Sequence, residues 1–555
     1  MEQARLIIAI VLSLLVFLAW DFFFVEKVPP GSKQPVQKAP EQTQGEPLTA
    51  EDTTIRDSGS QEQTESPLSE SLSSAGAPRV IAVTTPLYAV NISEKGAVFT
   101  SFVLKEYREK AEEDSAFKEV IPQEMLTGSL RVGLAGNSLP GIGNAVFLTS
   151  LTSDSLNVEH QPETVSFSWR SPEGIVIEKN FYFSPETYKI GLTITVKNVS
   201  SAPLKESLTL SLVNKVPESK QVYGFEGPSA LINGSLEQIA VKDIEDKERY
   251  DGDIKWAALE SRYFISAIIP LKTADSSLDL SVKDRVMESR YRYPVTEISP
   301  ETQKHFECDL YFGPKSLTII KEMNNGLDRA INFGWFDFIA KPCLWLMNYL
   351  YGFIPNYGVA IIILTILIKI LLWPIGNKGY KSMNEMKKLQ PLMTEIREKH
   401  KNDKQRMNQE LMALYKTYKV NPVGGCFPML LQIPVFFALY RMLYEAIELR
   451  HAAFIPGWVN DLSAPERLVL FDISYVPFME PPYGIPLLTI IMGGTMLLQQ
   501  KMSPPPGDPT QAKMMMFMPI IFTVIFINFS SGLVLYWLIS NILSIAQQYY
   551  ISKKA

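Results

Sequence analysis

Three hydrophobic patterns divide this 555-residue chain. Continuous apolar runs occur at about residues 6–25, 359–375, 426–447, 484–498, 514–529 and 533–551. A helix crosses a bilayer with roughly 17 to 25 mainly apolar residues, so these runs predict six spans. The last two are separated only by "SSG", which predicts a tight helical hairpin. From residue 79 to about 312 the pattern is alternating and β-branched, as in "VSFSW", "IGLTITV" and "SLTLSL", punctuated by "SPEG", "SPET" and "NVSSAP". That alternation predicts a large antiparallel β-sandwich. In residues 376–424, Met, Leu and Ile recur at three- and four-residue spacings among basic residues. This predicts a charged helical hairpin turning at "KHKNDK" and stopping at "NPVGG".

Charge orients the runs. Residues 26–340 carry a net charge of -13 and residues 341–555 one of +8. Lysine and arginine in short loops mark the cytoplasmic side. They crowd residues 376–424 and recur at Lys501, Lys513, Lys553 and Lys554, whereas residues 448–483 hold only Arg450 and Arg467. Six spans with both termini inside satisfy every loop and export the acidic residues 26–340. The first run follows Arg5 and lacks a small-x-small cleavage site, so it reads as an uncleaved signal anchor over residues 1–28. Residues 29–78 are rich in Pro, Ser, Gln and Glu and predict a disordered periplasmic linker. The sandwich then occupies 79–320, and an aromatic, charge-poor stretch at 321–355 predicts an amphipathic helix on the outer interface. The five-span core covers 356–551, and 552–555 form a short cytoplasmic tail.

Little in the exported part suggests catalysis. Its only histidines are His160 and His305, with no metal-ligand spacing, nucleophile elbow or phosphate loop. No cofactor, metal or enzymatic activity is expected. Trp169 or Trp256 can stack on a sugar or fill a core. The three cysteines give no even disulfide framework, a Cys308–Cys343 bridge being the one geometric option.

Chemistry concentrates instead in the apolar runs. Lys369 lies inside "AIIILTILIKILLWPI", where a lysine costs about 2.5 to 3.5 kcal/mol at a helix centre. Thr365, Lys369 and Trp373 share one helical face. Gln432 lies between Pro428 and Pro434, and Trp537, Ser540, Asn541, Ser544 and Gln548 form another polar stripe. Such residues act as interhelical glue or line a wet cavity. The acids Glu445 and Glu448 lie near the outer end of their run, too far to pair with Lys369, so its ammonium needs water. Three function classes follow: a protein acting on other membrane proteins, a small-molecule transporter, and a membrane-anchored periplasmic binding or scaffold protein.

The stretches "KVNPVGGCFPMLLQIPVFFALYRML", "QQKMSPPPGDPTQAKMMMFMPIIFTVIF" and "SSGLVLYWLISNILSIAQQ" resemble the YidC/Oxa/Alb family of membrane protein insertases, in particular its bacterial inner-membrane branch. The whole plan matches that resemblance. It implies insertion, folding and assembly of inner-membrane proteins, alone or with a Sec-type translocon, and a periplasmic β-supersandwich similar to galactose mutarotases without their catalysis. It also implies a hydrophilic groove open to the cytoplasm and closed outside, with the positive residue at Lys369, where many relatives carry arginine. Implied groove residues are Lys369, Thr365, Tyr536 and Trp537, the last standing where tyrosine is common, and Gln432 joins them from the polar pattern of the runs. Implied partners are nascent membrane proteins and the translocon; the charge of the hairpin at Lys387, Lys388, Arg397, Lys399, Lys404 and Arg406 reads either as a solvated face obeying the positive-inside rule or as a dock for the ribosome, anionic lipids or an acidic partner. DNA is not among them.

Overall fold

Strand burial follows the period-two alternation. In Ile175–Phe183, residues 175, 177, 179, 181 and 183 point into the core, and those between face outward or are half-buried. The computed structural model describes residues 77–112, 114–122, 128–217, 224–272, 275–420, 427–503 and 509–554. The expected signal anchor and all but the end of the expected linker lie outside them.

Among the described residues the sandwich has a five-stranded and a thirteen-stranded sheet. The smaller runs Phe117–Ile121, Val98–Arg108, Tyr88–Ser93, Val80–Thr84, Ser155–Asn157. In the larger, Phe264–Pro270, Thr302–Pro314, Lys189–Asn198, Ile175–Phe183 and Glu163–Arg170 lie side by side. One pair departs from the antiparallel expectation, since Ser155–Asn157 runs parallel to Val80–Thr84. That strand enters from the larger sheet rather than through a hairpin, and a crossover does not impose antiparallel pairing. Rings from both sheets meet between them: Phe102 stacks on Phe312 at 5.0 Å between centroids, and Phe99 lies 5.3 Å from Phe181. Trp256 is fully buried and donates through Nε1 to the Gly326 carbonyl at 3.1 Å. Cys308 and Cys343 are free thiols, so no bridge links them.

An inward strand position also holds Lys179, which is 0% exposed. Its Nζ donates to the carbonyls of Gly96 (2.7 Å) and Ala97 (3.0 Å) and lies 5.3 Å from the centre of the Phe147 ring. Burial pushes its pKa down to about 7. A neutral amine has two N–H groups, matching the two carbonyls. Between about pH 7 and the ordinary value of 10.5 the unfolded chain holds a proton that the folded one has released, so this group adds stability as pH rises through that window. Wild type is therefore expected to gain stability on Lys179→Met between pH 7 and 9, as read by unfolding midpoints of the two full-length chains in detergent. Parallel midpoints would refute the burial of a titrating amine.

Beyond the sandwich the chain is helical: α1 (Leu317–Lys321), α2 (Asp337–Tyr351), α3 (Tyr357–Lys399), α4 (Lys404–Thr417), α5 (Phe427–Glu445), α6 (Leu487–Met502), α7 (Pro509–Phe526) and α8 (Ser531–Lys554). Among the described residues, α3 stands out as long and apolar enough to cross a bilayer, and Met514–Phe526 is a shorter apolar helix. Asn356 caps α3, its Oδ1 accepting from Val359 N at 3.1 Å. The helix continues through Pro374 and Pro391, so the apolar run and the first arm of the basic hairpin are one element of 43 residues. The second arm, α4, folds back on it through Leu389, Met393, Leu411, Tyr415 and Val420.

The sandwich is fastened near the C-terminal ends of α2 and α5. Arg262 donates from Nε and Nη2 to the Tyr444 carbonyl (3.0 and 2.6 Å) while its guanidinium lies 3.5 Å from the centre of the Tyr444 ring. Ser316 and Asn348 both donate to Glu448 Oε1, at 3.2 and 3.4 Å. Lys315 and Glu260 form a buried pair at 2.9 Å beside this seam.

Candidate functional site

A lysine placed among apolar helices must find acceptors, because an unsatisfied polar group there costs several kcal/mol. Lys369 on α3 finds them on two other helices. Its Nζ donates to Ser544 Oγ on α8 at 2.8 Å and to Gln432 Oε1 on α5 at 3.2 Å. Gln432 Nε2 in turn donates to Ser540 Oγ at 2.9 Å, and Ser544 Oγ to the Ser540 carbonyl at 2.8 Å. Both acceptors of the ammonium are neutral. Glu445 pairs instead with Arg441 at 3.0 Å and Glu448 sits on the sandwich seam, so among the described residues no carboxylate reaches Lys369. Protein therefore takes two of the three donors of the ammonium that the sequence reading leaves to water.

The other sequence-chosen positions divide. Thr365 is 1% exposed, with its hydroxyl returned to the Ile361 carbonyl at 2.7 Å, so it packs between helices. Tyr536 is buried, with its hydroxyl in reach of Gln432. Trp537 is half-buried under a roof of rings from Phe436 (4.7 Å) and Phe526 (5.2 Å). Asn541 leaves the stripe to donate to Thr495 on α6 at 3.2 Å. Gln547, absent from the sequence-based set, donates to Asn377 Oδ1 (2.9 Å) and the Trp373 carbonyl (3.2 Å). Its spacing after Ser540 and Ser544 was the available signal, since 540, 544 and 547 follow one helical face.

The end of this cluster at the N-termini of α3 and α8 is closed by chain. Ser531, at the start of α8, donates from N to the Ala464 carbonyl (2.8 Å) and from Oγ to that of Asp461 (2.7 Å), and Gly532 N donates to Leu462 O (3.0 Å). Asn356 Nδ2 donates to Phe454 O at 3.0 Å. Glu466, 6% exposed, accepts from Trp458 Nε1 (2.6 Å) and from Leu488 N (3.0 Å) in the first turn of α6. At the opposite end α3 and α4 expose Lys387, Lys388, Lys399 and Arg406; Arg397 is half-buried, and Lys404 opens α4.

Residues 349–555 match the family model described as 60Kd inner membrane protein, and residues 80–346 that of the YidC periplasmic domain. The chain is 42% identical over 99% of both lengths to the membrane protein insertase YidC of Syntrophus aciditrophicus (strain SB). It belongs to the YidC family of membrane protein insertases. A second YidC, from Syntrophobacter fumaroxidans, is 40% identical over the full length of both chains. The solved structure titled as an active YidC insertase with its first transmembrane domain resolved aligns over 86% of this chain and 93% of its own, at 18% identity and a TM-score of 0.37. Membership makes the chain an inner-membrane insertase with a periplasmic domain rather than an enzyme, and it sets aside the transporter and exported-scaffold readings.

Proposed function

We propose that Lys369 is the charged centre of a substrate groove through which this insertase passes the exported tails of its clients. In this reading six spans leave both termini in the cytoplasm and residues 26–340 in the periplasm. The basic loop at 376–424 supports that topology. One observation carries the groove: an ammonium held by neutral acceptors, with no carboxylate among the described residues and one donor uncommitted. Such a group presents uncompensated positive potential to an incoming carboxylate. Chain packed across the outer end supports a groove closed on that side.

A client's acidic tail enters from the cytoplasm, attracted by Lys369. The groove shortens the apolar distance the tail must cross. Partitioning of the client's own apolar helix, helped by the membrane potential acting on negative charge, carries the tail outward. The exposed lysines and arginine of the hairpin suit docking to ribosomal RNA or anionic headgroups. Action as a folding chaperone, and beside a Sec-type translocon, rests on the family resemblance alone.

Photocrosslinking tests the groove. A photoreactive residue at Trp537 is expected to capture a stalled membrane-protein chain, whereas one at Leu371, two residues from Lys369 and 77% exposed on the opposite flank of α3, is not. Equal capture at both positions, or none at Trp537, would overturn the groove.

A further inference from the structure

Apart from the groove, a second aromatic surface lies on the connection between α5 and α6. Residues 468–485 fold back on themselves: Leu468 N donates to Ile485 O (2.9 Å), Ile485 N to Val469 O (3.0 Å) and Phe471 N to Tyr483 O (2.7 Å). A Cβ at Gly484 would run into the Val469 carbonyl, so glycine is what lets the two sides close. Beyond this closure, the tip presents large apolar side chains to the outside, with Ile473 54%, Tyr475 70% and Phe478 77% exposed. No lysine or arginine occurs between Arg467 and Lys501.

We propose that this hairpin is an interfacial anchor that seats its tip among the phospholipid acyl chains of the outer leaflet, beside α7. Continuity with the apolar flank of that helix points to lipid. Ile521 is 53% and Ile525 46% exposed on α7, and Ile525, Val524, Tyr475 and Phe478 line one open cleft of ≈ 390 Å³. The base of the turn is held by side chains. Asn528, at the end of α7, accepts from Glu480 N through Oδ1 (2.9 Å) and donates from Nδ2 to the Phe478 carbonyl (3.1 Å). Arg467 donates to the carbonyls of Pro482 (3.1 Å) and Ile527 (2.9 Å). These bonds pair the Glu480 amide and the Phe478 and Pro482 carbonyls at the base of the turn with protein, which lowers the cost of bringing that part of the irregular chain toward hydrocarbon. Charge points the same way. With no cation at the tip and with Asp472 and Glu480 exposed beside it, attraction to anionic headgroups is absent and the contact is apolar. The choice of leaflet rests on the six-span topology; burial in lipid does not.

The test is depth measurement on the full chain in phosphatidylethanolamine–phosphatidylglycerol vesicles. Single cysteines at Ile473, Tyr475 and Phe478 carry an environment-sensitive fluorophore in a C343S/C426S background, Cys308 being buried. Exposed Tyr182 on the sandwich and Ile521 on α7 provide the aqueous and lipid references. The tip labels are expected to resemble Ile521, with blue-shifted emission, quenching by lipids spin-labelled near the glycerol end of the acyl chain, and severalfold less quenching by iodide than at Tyr182. Iodide access equal to that at Tyr182 would overturn the anchor. Protection from both quenchers would also overturn it, in favour of a protein cover such as a second copy of the chain. Loss of client capture at Trp537 leaves these readouts unchanged, so the groove and the anchor fail separately.

Discussion

Replacing Lys369 with glutamate is expected to abolish insertion of a client whose exported tail carries a carboxylate, while Lys369→Arg retains most of it. At about 6 Å and an effective dielectric constant of about 20, one pair of unit charges is worth roughly 3 kcal/mol. Lys369→Ala forfeits that attraction, and Lys369→Glu reverses it, a swing of roughly 6 kcal/mol or about four powers of ten at 1.4 kcal/mol each. Arginine restores the charge, although its fixed fork cannot reproduce the seat on Ser544 and Gln432 atom for atom. Protease protection of client tails in proteoliposomes measures the series. Clients with neutral tails should discriminate far less among the variants, since their tails contain no carboxylate for the charge to act on. Equal insertion of acidic-tailed clients by wild type, Ala and Glu forms would remove the charge from the mechanism.

The second large effect is expected at Glu466. Its two carboxylate oxygens accept from the Trp458 indole and from Leu488 N, tying the outer loop to the first turn of α6. Hydrogen bonds to charged groups contribute about 1.5–3 kcal/mol each, so Glu466→Ala should cost roughly 3 kcal/mol or more and leave two donors without their acceptor. Glu466→Gln keeps one carbonyl oxygen and should fall between. Thermal unfolding in detergent, followed through tryptophan fluorescence, is expected to rank wild type above Gln above Ala. Identical transitions for all three would show that this carboxylate does not hold the outer closure together.

Local pattern was legible in the sequence and long-range partnership was not. "IVIEKNFYF" declares its inward face because strands repeat every two residues, and the rule even places Lys179 in the core. It cannot reveal that Gly96 and Ala97, more than 80 positions earlier, supply the carbonyls that make a lysine tolerable there. Lys369 stood out because a charge in an apolar run is costly, yet its acceptors lie 63 and 175 residues away. Helical spacing likewise grouped Asn541 with Ser540 and Ser544, although one residue of offset turns it toward Thr495. The boundary at residue 375 was drawn from polarity, and the backbone takes no notice of it: prolines at 374 and 391 interrupt single hydrogen bonds without ending α3.

That continuity has a mechanical side. At about 1.5 Å per residue, α3 is a rod of roughly 65 Å with Lys369 about a quarter of the way along it. Pro374 sits five residues past the lysine, where a missing backbone donor makes the rod easiest to bend. The part beyond it is a lever of about 37 Å, so a tilt of only about 10° at that pivot sweeps the far tip through about 6 Å. Whatever pulls on the basic arm therefore pulls with leverage, and the fulcrum stands close to Lys369, whose recorded acceptors are both neutral.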